Sequence, residues 1–380
     1  MRKSASGPTL GIVVKTVSTT EHPLQGVIDR YRRFLPVDEA TPVVTLNEGS
    51  TPLIHSPRLS TITGGSQVFL KFEGANPTGS FKDRGMTVAV SKAAERRAKL
   101  LVCASTGNTA AAAAAYAARA GLRCAVLLPA GRITMGKLAQ ALVYGASAIA
   151  IDENFDACLR LIRELASEPG VAVVNSINPD RLEGQKTAAF EVVDTLGDAP
   201  DIHLLPVGNA GNISAYWKGY KEYADHGLAS RLPRMLGFQA AGAAPIFFDK
   251  IIEDPETAAS AIRIGNPASW GLARAAISES CGAIDIVTDQ EILDAQRWLA
   301  SNEGIFVEPA SAAAVAGLLK CSSQEPCARC PFSGLAKEAA TIVVTLTGHG
   351  LKDAGAVLDR GLAPVQAPAR KSAILEILQA

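Results

Sequence analysis

One lysine of this sequence, Lys82, stands where its amine could act as a nucleophile or as a base. It lies in the segment NPTGSFKDRG (Asn76–Gly85), between a predicted strand, Val68–Glu73, and a predicted helix, Asp83–Ala98. The positive end of a helix dipole and the loss of water on burial both lower the pKa of an amine. A lone lysine in a first helical turn is more commonly a surface residue, so a chemical role for Lys82 requires partners.

Small polar residues follow a second predicted strand. The segment ASTGNTAA ends the strand Leu100–Ser105 and opens the helix Thr109–Ala120. A helix amino terminus rich in hydroxyl and amide groups binds carboxylates and phosphates. One helix cap needs one such side chain, whereas this segment supplies four, namely Ser105, Thr106, Asn108 and Thr109. The segment therefore predicts an anion-binding site.

A glycine-containing loop follows a third predicted strand, His203–Gly208. It reads GNAGN, and successive backbone N–H groups in such a turn can surround a phosphate. The loop lacks the third glycine and the downstream acidic residue of a dinucleotide-binding turn, and it lacks the ending of a Walker loop. The residues of this predicted phosphate loop are Gly208, Asn209, Ala210, Gly211 and Asn212.

These segments must be positioned by a common framework. From Val68 onward, short and almost wholly apolar runs alternate with helical patterns, which is typical of parallel sheets covered on both faces. The sequence therefore predicts an α/β protein. Further strands are predicted at Cys124–Pro129, Ala148–Asp152, Ala172–Ser176, Met235–Ala240 and Thr341–Thr347, and further helices at Met135–Tyr144 and Phe155–Ser167.

The bulk composition excludes several classes of protein. The 380 residues suffice for two cores, and 37 basic residues balance 37 acidic ones, so no net field attracts nucleic acid or an anionic membrane. The opening apolar run is too short for a signal peptide, and the Ala-rich stretch before Arg119 suits a packed helix better than a membrane span. We expect a soluble, cytoplasmic protein with reduced cysteines.

Taken together, the three segments indicate one kind of binding site. A lysine nucleophile, an anion site and a phosphate loop at separate strand ends match what a pyridoxal-phosphate site requires. Such a site needs a lysine that links to the cofactor aldehyde and partners that tune the pyridine ring. The sequence therefore predicts a pyridoxal-phosphate enzyme.

Motifs along most of the chain, from about Tyr31 to Asp353, resemble the threonine synthases, a branch of the tryptophan-synthase-β-like family of pyridoxal-phosphate enzymes. The first motifs are shared across that family, whereas NSINPDRLEGQKT together with GNPASW is typical of the threonine synthases. The motifs are TPLI, NPTGSFKDRG, ASTGNTAA, NSINPDRLEGQKT, GNAGN, GNPASW, EPASAAA and LTGHGLKD.

The resemblance implies fold type II, with two doubly wound three-layer α/β/α domains and the cofactor in the cleft between them. The larger domain would comprise residues 1–82 and 177–380, and the smaller, mobile domain residues 83–176. It also implies a homodimer. Residues 321–338 read as a surface insertion, and the spacing of Cys327 and Cys330 suits zinc, but no second pair completes a site, so no metal is expected.

The resemblance also implies individual roles. Lys82 would hold the cofactor and shuttle protons, Asn108 would bond its ring hydroxyl, the loop Gly208–Asn212 would surround its phosphate, and Thr347 would face its pyridine nitrogen. The substrate, O-phospho-L-homoserine, would place its carboxylate in the loop from Ser105 to Thr109. Its phosphate would contact Asn175, Ser176 and Arg181, with Asn212 nearby.

Two of these roles have support in the residue types themselves. Arg181 is the one cation in a polar loop that follows a strand, which suits a phosphoryl group, although an ion pair with Glu183 is the alternative. Thr347 is neutral, so it should leave a ring nitrogen less protonated than an aspartate would. His349, between two glycines, is expected to be a turn residue and not a catalytic one.

Several other interpretations stay open from the sequence. A threonine or serine dehydratase, or a β-replacement enzyme, would use the same framework, and a cofactor- or phosphate-binding sensor would have no need of Lys82. Residues 321–338, with Cys321, Cys327 and Cys330, could instead form a metal-binding module. At the level of local structure, Thr288–Glu291 predicts a capping box for a helix that runs to about Asn302, and Ser80–Asp83 has a similar form.

Overall fold

Two β-sheets carry the predicted site segments in the computed structural model, which describes residues 25–105, 107–130, 135–323, 340–355 and 365–379. The six-stranded sheet has the order β1-β2-β10-β7-β8-β9 and the four-stranded sheet the order β5-β4-β3-β6. The strands are β1 Leu53–His55, β2 Gln67–Phe72, β3 Leu100–Ala104, β4 Arg123–Pro129, β5 Ser147–Ile151, β6 Val171–Val173, β7 Ile202–Pro206, β8 Arg234–Ala240, β9 Ala283–Val287 and β10 Thr341–Leu346.

All strand pairs except β1 with β2 are parallel. The chain leaves the larger sheet after β2, builds the smaller sheet, returns at β7, and finally inserts β10 between β2 and β7. In sheets of this kind ligands bind beyond the carboxyl ends of the strands, where the strand order reverses. The α/β prediction is confirmed.

Helices cover both sheets, and their buried faces form separate cores with each sheet. The α-helices are α1 Val27–Tyr31, α2 Pro57–Ile62, α3 Lys82–Glu95, α4 Asn108–Ala120, α5 Met135–Val143, α6 Phe155–Leu165, α7 Pro179–Leu196, α8 Gly211–Asp225, α9 Pro245–Phe248, α10 Trp270–Glu279, α11 Asp289–Trp298, α12 Pro309–Ser323 and α13 Lys371–Gln379.

The Ala-rich helix α4 is packed inside the protein, as the sequence predicts. Its residues from Ala110 to Ala117 are all buried, and they line the core on one face of the smaller sheet. Small side chains allow this helix to approach its neighbours closely on every side. Nowhere in the described ranges does a helix combine the length and the apolar character needed to cross a membrane.

A buried network of charges fixes the start of α3. Arg84 pairs with Glu73, at 2.6 Å between Nε and Oε2, and with Glu191 on α7, at 2.7 Å between Nη2 and Oε2. Lys71 on β2 pairs with the same Glu191 at 2.7 Å. Removing one partner from such a group typically costs about 3–5 kcal/mol of stability, because the other charge stays buried. The network therefore ties α3 to the larger sheet and to α7.

Helices α3 and α7 touch through two glycines. A Cβ atom on Gly184 would overlap the carbonyl oxygen of Arg84, and a Cβ atom on Gly85 would lie 2.7 Å from the carbonyl oxygen of Arg181. Both positions therefore exclude any side chain. The two helix backbones are in direct contact near their amino ends.

One of the two predicted capping boxes is present and the other is absent. Thr288 and Glu291 form the predicted capping box at α11, although regular α-helix ends at Trp298 and a wider turn follows. The similar pattern at Ser80 is wrong as a capping box, because Phe81 is the N-cap and makes no side-chain cap. Asp83 instead accepts hydrogen bonds from Thr78 N and Oγ1, at 2.7 and 2.5 Å.

The expected insertion at residues 321–338 needs a correction at its start. Cys321 is buried in the last turn of α12, so that residue belongs to the core of the larger sheet and not to a surface insertion. Cys327 and Cys330 lie outside the described residues.

Candidate active site

Lys82 is the first residue of α3, and its loop is hydrogen-bonded to the segment that follows β10. Phe81 N donates to Thr347 O at 3.0 Å, and His349 N donates to Gly79 O at 2.9 Å. Gly79 has φ +87, a conformation that favours glycine, so the turn before the lysine depends on it. Lys82 and Thr347, 265 positions apart in the numbering, are thereby brought to one place.

The surroundings of Lys82 make its amine reactive. Burial, and secondarily the positive charge of Arg181, lower the pKa of Lys82 to about 7, while Glu308 acts in the opposite direction. Its Nζ lies 4.4 Å from the centroid of the Phe81 ring. An amine with this pKa is in large part neutral near pH 7 and can act as a nucleophile and as a base.

We expect covalent uptake of pyridoxal phosphate by the cofactor-free protein to follow this pKa. Because only the neutral amine attacks an aldehyde, the rate should rise with pH and reach half its maximum near pH 7, well below the value of about 10.4 for an ordinary lysine. Stopped-flow absorbance measures it. In Arg181→Ala the midpoint should move upward, and a wild-type midpoint above pH 9 would contradict the assignment.

Thr347, which is predicted to face the pyridine nitrogen, forms a neutral hydroxyl pair with Ser311. Ser311 Oγ and Thr347 Oγ1 are 2.8 Å apart, and Ser311 Oγ accepts from Gly348 N at 2.7 Å. Ser311 was not among the predicted site residues, although it belongs to the EPASAAA motif. His349 lies in a turn, where its Nδ1 accepts from Leu351 N at 3.1 Å.

Asn108, the first residue of α4, is hydrogen-bonded to Glu308, which directly precedes α12. Its Nδ2 donates to the two carboxylate oxygens of Glu308 at 2.9 and 3.1 Å, and both residues are buried. Glu308 was also missed by the sequence reasoning. A Cβ on Gly348 would lie 2.5 Å from Glu308 Oε1, so this carboxylate fits only beside a glycine.

The loop Gly208–Asn212 forms a cradle after β7. Ala210 has φ +63 and is the N-cap of α8, so the backbone N–H groups that follow have no intrahelical acceptor. Asn212 Nδ2 is buried and has no hydrogen-bond partner among the described residues. Donors without acceptors at a helix amino terminus are typical of a phosphate site.

The other predicted anion loop follows β3. Ser105 Oγ accepts from Gly107 N at 3.1 Å, while Ser105 and Thr109 keep part of their surface exposed. Thr106 lies outside the described residues. Asn175, after β6, binds this loop from the side, because its carboxamide makes two hydrogen bonds with the backbone of Ala104, at 2.9 and 3.1 Å.

Arg181 is a buried cation without a counter-ion in the described structure. It is 1% exposed, and its Nη1 donates to Val174 O at 3.2 Å, but Nε and Nη2 have no partner among the described residues. Burial lowers its pKa to about 10, so it still carries its charge at neutral pH. The alternative ion pair with Glu183 is wrong, because Glu183 binds Lys186 at 2.6 Å and also Lys218.

The predicted site residues that the structure describes follow the carboxyl ends of five strands, β2, β3, β6, β7 and β10. Lys82 can link to an aldehyde, the orphaned Nδ2 of Asn212 and the adjoining N–H groups can take a phosphate, and the hydroxyl of Thr347 can meet a weakly basic nitrogen. These groups fit pyridoxal phosphate. The unpartnered donors of Arg181 remain for a second anion.

Comparison with known proteins gives the same assignment. Residues 44–348 match the family model described as pyridoxal-phosphate dependent enzyme. A threonine synthase from Synechocystis sp. is 58% identical over 330 residues, which cover 87% of this chain and 84% of that one. A threonine synthase from Mycobacterium leprae is 58% identical over 337 residues, or 88% and 91% of the two chains. Maize serine racemase shares the fold, with a TM-score of 0.70 at 23% identity, over 85% of this chain and 94% of that one.

The chain belongs to the family of pyridoxal-phosphate-dependent enzymes, the class that its fold and site define. Its relatives of more than half identical sequence place it, within that family, among the threonine synthases. The predicted cofactor and family resemblance are confirmed.

Proposed function

We propose that the chain converts O-phospho-L-homoserine and water to L-threonine and phosphate, the last step of threonine biosynthesis. In this reaction the C–O bond at Cγ breaks, Cβ loses a proton and gains a hydroxyl group from water, Cγ gains a proton, and the other proton of the water leaves with the phosphate. The curated relatives are named for this product. The proposal requires one site for the reacting amine and a second, separate site for the phosphate group.

The observation that carries the proposal is the state of Arg181. A guanidinium that is 1% exposed and lacks a counter-ion among the described residues is costly unless an anion binds to it. Its charge helps to lower the pKa of Lys82, and the helices that carry the two residues, α3 and α7, are in contact near their amino ends. A phosphorylated substrate would supply the missing anion. A dehydratase or β-replacement enzyme that acts on free serine or threonine would leave this charge unpaired.

The cofactor is expected to be held by Lys82, Asn108, Thr347 and the loop Gly208–Asn212. When bound, it withdraws electrons from the α-carbon of the substrate and so stabilises negative charge there. The hydroxyls of Thr347 and Ser311 carry no charge, so these two residues add no anion beside the ring nitrogen.

Lys82 is the proposed proton carrier. Its Nζ would take the proton from Cα, then assist transfer at Cβ and Cγ, and finally return a proton to Cα. A group with a pKa of about 7 can both accept and release protons at neutral pH. One flexible amine can therefore serve several successive steps.

The phosphate group is proposed to stay with Arg181 and Ser176 throughout. Nε and Nη2 of Arg181 present two N–H groups, and a guanidinium binds a phosphoryl group through such paired donors. The loop from Ser105 to Thr109 would take the carboxylate. After the C–O bond breaks, the retained phosphate ion is positioned to accept a proton from the water that adds at Cβ.

The domain division and assembly also remain proposals. Residues 83–176 hold the smaller sheet, and the hydrogen bond of Asn108 with Glu308 crosses from that part to the larger one. We expect this part to move toward the rest and exclude water when substrate binds. We also expect a homodimer in the cytoplasm, and light scattering of the purified protein measures the assembly.

Phosphate release from O-phospho-L-homoserine tests the function directly. The purified protein with pyridoxal phosphate should release phosphate and threonine in equal amounts. Serine and threonine, offered separately, test the dehydratase alternative through keto-acid formation, and serine offered with sulfide tests the β-replacement alternative through formation of cysteine. Release of a keto acid from these two amino acids without phosphate release from O-phospho-L-homoserine would contradict the proposal.

A further inference from the structure

The GNPASW segment, residues 265–270, has no role in the site as described above, yet it contacts a loop that does. Ala268 N donates to Asn209 Oδ1 at 2.6 Å, and Ser269 N donates to the backbone oxygen of Asn209 at 3.2 Å. On its other side, Asn209 Nδ2 donates to Ser176 Oγ at 2.6 Å. Asn209 thus connects this segment with the loop that carries Ser176.

The direction of these hydrogen bonds is set by chemistry. A backbone N–H can only donate, so the group that faces Ala268 must be the carbonyl oxygen of the Asn209 side chain. The amide nitrogen then necessarily faces Ser176, and it can only donate. Ser176 Oγ is therefore an acceptor in this contact, and its own proton is left for another partner.

The surroundings of Ser176 show where that proton can go. The side chain is only partly buried, and no described residue accepts a hydrogen bond from its hydroxyl. It follows Asn175, whose carboxamide is engaged with Ala104, and it lies shortly before Arg181, which is in the first turn of α7. An anion bound here would give the Ser176 hydroxyl an acceptor and Arg181 a counter-charge.

We propose that Asn209 is a positioning residue for the substrate phosphate, through which GNPASW orients the Ser176 hydroxyl as a donor. The chain runs from Ala268 N–H to Asn209 and from Asn209 to Ser176, and the Ser176 O–H donates to a phosphoryl oxygen. Both ends of the Asn209 side chain take part in these hydrogen bonds, and its backbone N–H belongs to the loop that is proposed to surround the cofactor phosphate. The inference rests on the proposed function, since it assumes a phosphorylated substrate.

A double-mutant cycle tests this series of hydrogen bonds, with inorganic phosphate as the probe. The dissociation constant of phosphate is measured by calorimetry on the enzyme loaded with cofactor. Asn209→Ala and Ser176→Ala should each raise it about 2- to 12-fold, the value of one hydrogen bond. The double variant should be no more than about twofold worse than Ser176→Ala alone, because both changes break one chain. The KM for O-phospho-L-homoserine should follow the same pattern.

A second variant, Asn209→Asp, reverses the direction of the hydrogen bond between residue 209 and Ser176 and keeps the shape of the side chain. The carboxylate of Asn209→Asp only accepts, so it takes the Ser176 proton and turns the oxygen lone pairs toward the phosphate. Phosphate should bind about tenfold more weakly or worse. If Asn209→Ala does not fold, Asn209→Asp alone tests the inference. In every variant, the visible absorbance of bound cofactor shows whether the protein is folded and loaded.

Three results would overturn the inference. The first two are an unchanged phosphate affinity in Asn209→Ala and an unchanged phosphate affinity in Asn209→Asp. The third is a double variant in which the two single effects multiply, since this would mean that Asn209 contacts the phosphate directly. Failure of the proposed function would be visible separately. In that case the wild-type enzyme would release no phosphate from O-phospho-L-homoserine, whatever the variants do to phosphate binding.

Discussion

Replacement of Lys82 by alanine is expected to lower kcat by about 10⁴-fold or more, because the change removes both the covalent link and the proton carrier. The cofactor should still bind through the loop Gly208–Asn212, and its absorbance should be that of the unlinked aldehyde. Borohydride reduction of the wild-type enzyme, followed by peptide mapping, should label Lys82. Steady-state kinetics and absorbance spectra measure the two effects.

Lys71 is the matched control for this experiment. It is a second buried lysine, but its amine is bound to Glu191 at 2.7 Å, so it should remain unlabelled by borohydride. Lys82→Arg should fail as Lys82→Ala does, since an arginine keeps the charge but stays protonated at neutral pH. A colourless wild-type protein that pyridoxal phosphate cannot reconstitute would disprove the assignment of Lys82.

Arg181→Ala is expected to depress kcat/KM for O-phospho-L-homoserine by roughly 10- to 150-fold. This is the effect of losing a paired, charge-assisted contact that is typically worth about 1.5–3 kcal/mol. Arg181→Lys should recover only part of the loss, because an ammonium cannot present two parallel N–H groups. Arg96→Ala is the control, as Arg96 is largely exposed and forms a loose ion pair with Asp180 at 3.6 Å.

Substrates without a phosphate group show whether Arg181→Ala weakens phosphate binding specifically or disturbs the whole active site. Any slow reaction of serine or threonine should fall much less than the main reaction in Arg181→Ala, since these substrates place no anion beside the guanidinium. If both reactions fell in parallel, Arg181 would be maintaining the structure of the site and not binding the substrate. The assignment of the phosphate site would then be withdrawn.

The sequence predicts the framework well because the framework depends on local patterns. Strands such as Met235–Ala240 are continuous apolar runs, and a strand covered on both faces must be apolar throughout. Two strands escaped prediction for the same reason. Leu53–His55 is only three residues long, and Ala283–Val287 carries an aspartate and is mostly half-buried.

The parts of the site that escaped prediction depend on contacts between distant residues. Glu308 and Ser311 face the site because the chain before α12 pairs with the segment after β10, and their spacing alone does not show this. The wrong capping box at Ser80 has a local cause, since Asp83, which would complete it, instead accepts hydrogen bonds from Thr78, five residues earlier. Local preference is weaker than a buried hydrogen bond formed in the folded chain.

The glycine contact between α3 and α7 has a consequence for the choice of substrate. Lys82 precedes Gly85 by three residues, and Arg181 precedes Gly184 by three residues, so both side chains extend from within about one helical turn of the place where the backbones touch. The distance between the two main chains that carry the amine and the guanidinium is consequently set by backbone against backbone, and side-chain repacking cannot change it. We expect this fixed backbone spacing to favour substrates of the length of O-phospho-L-homoserine, so a phosphorylated amino acid one methylene longer or shorter should have a lower kcat/KM.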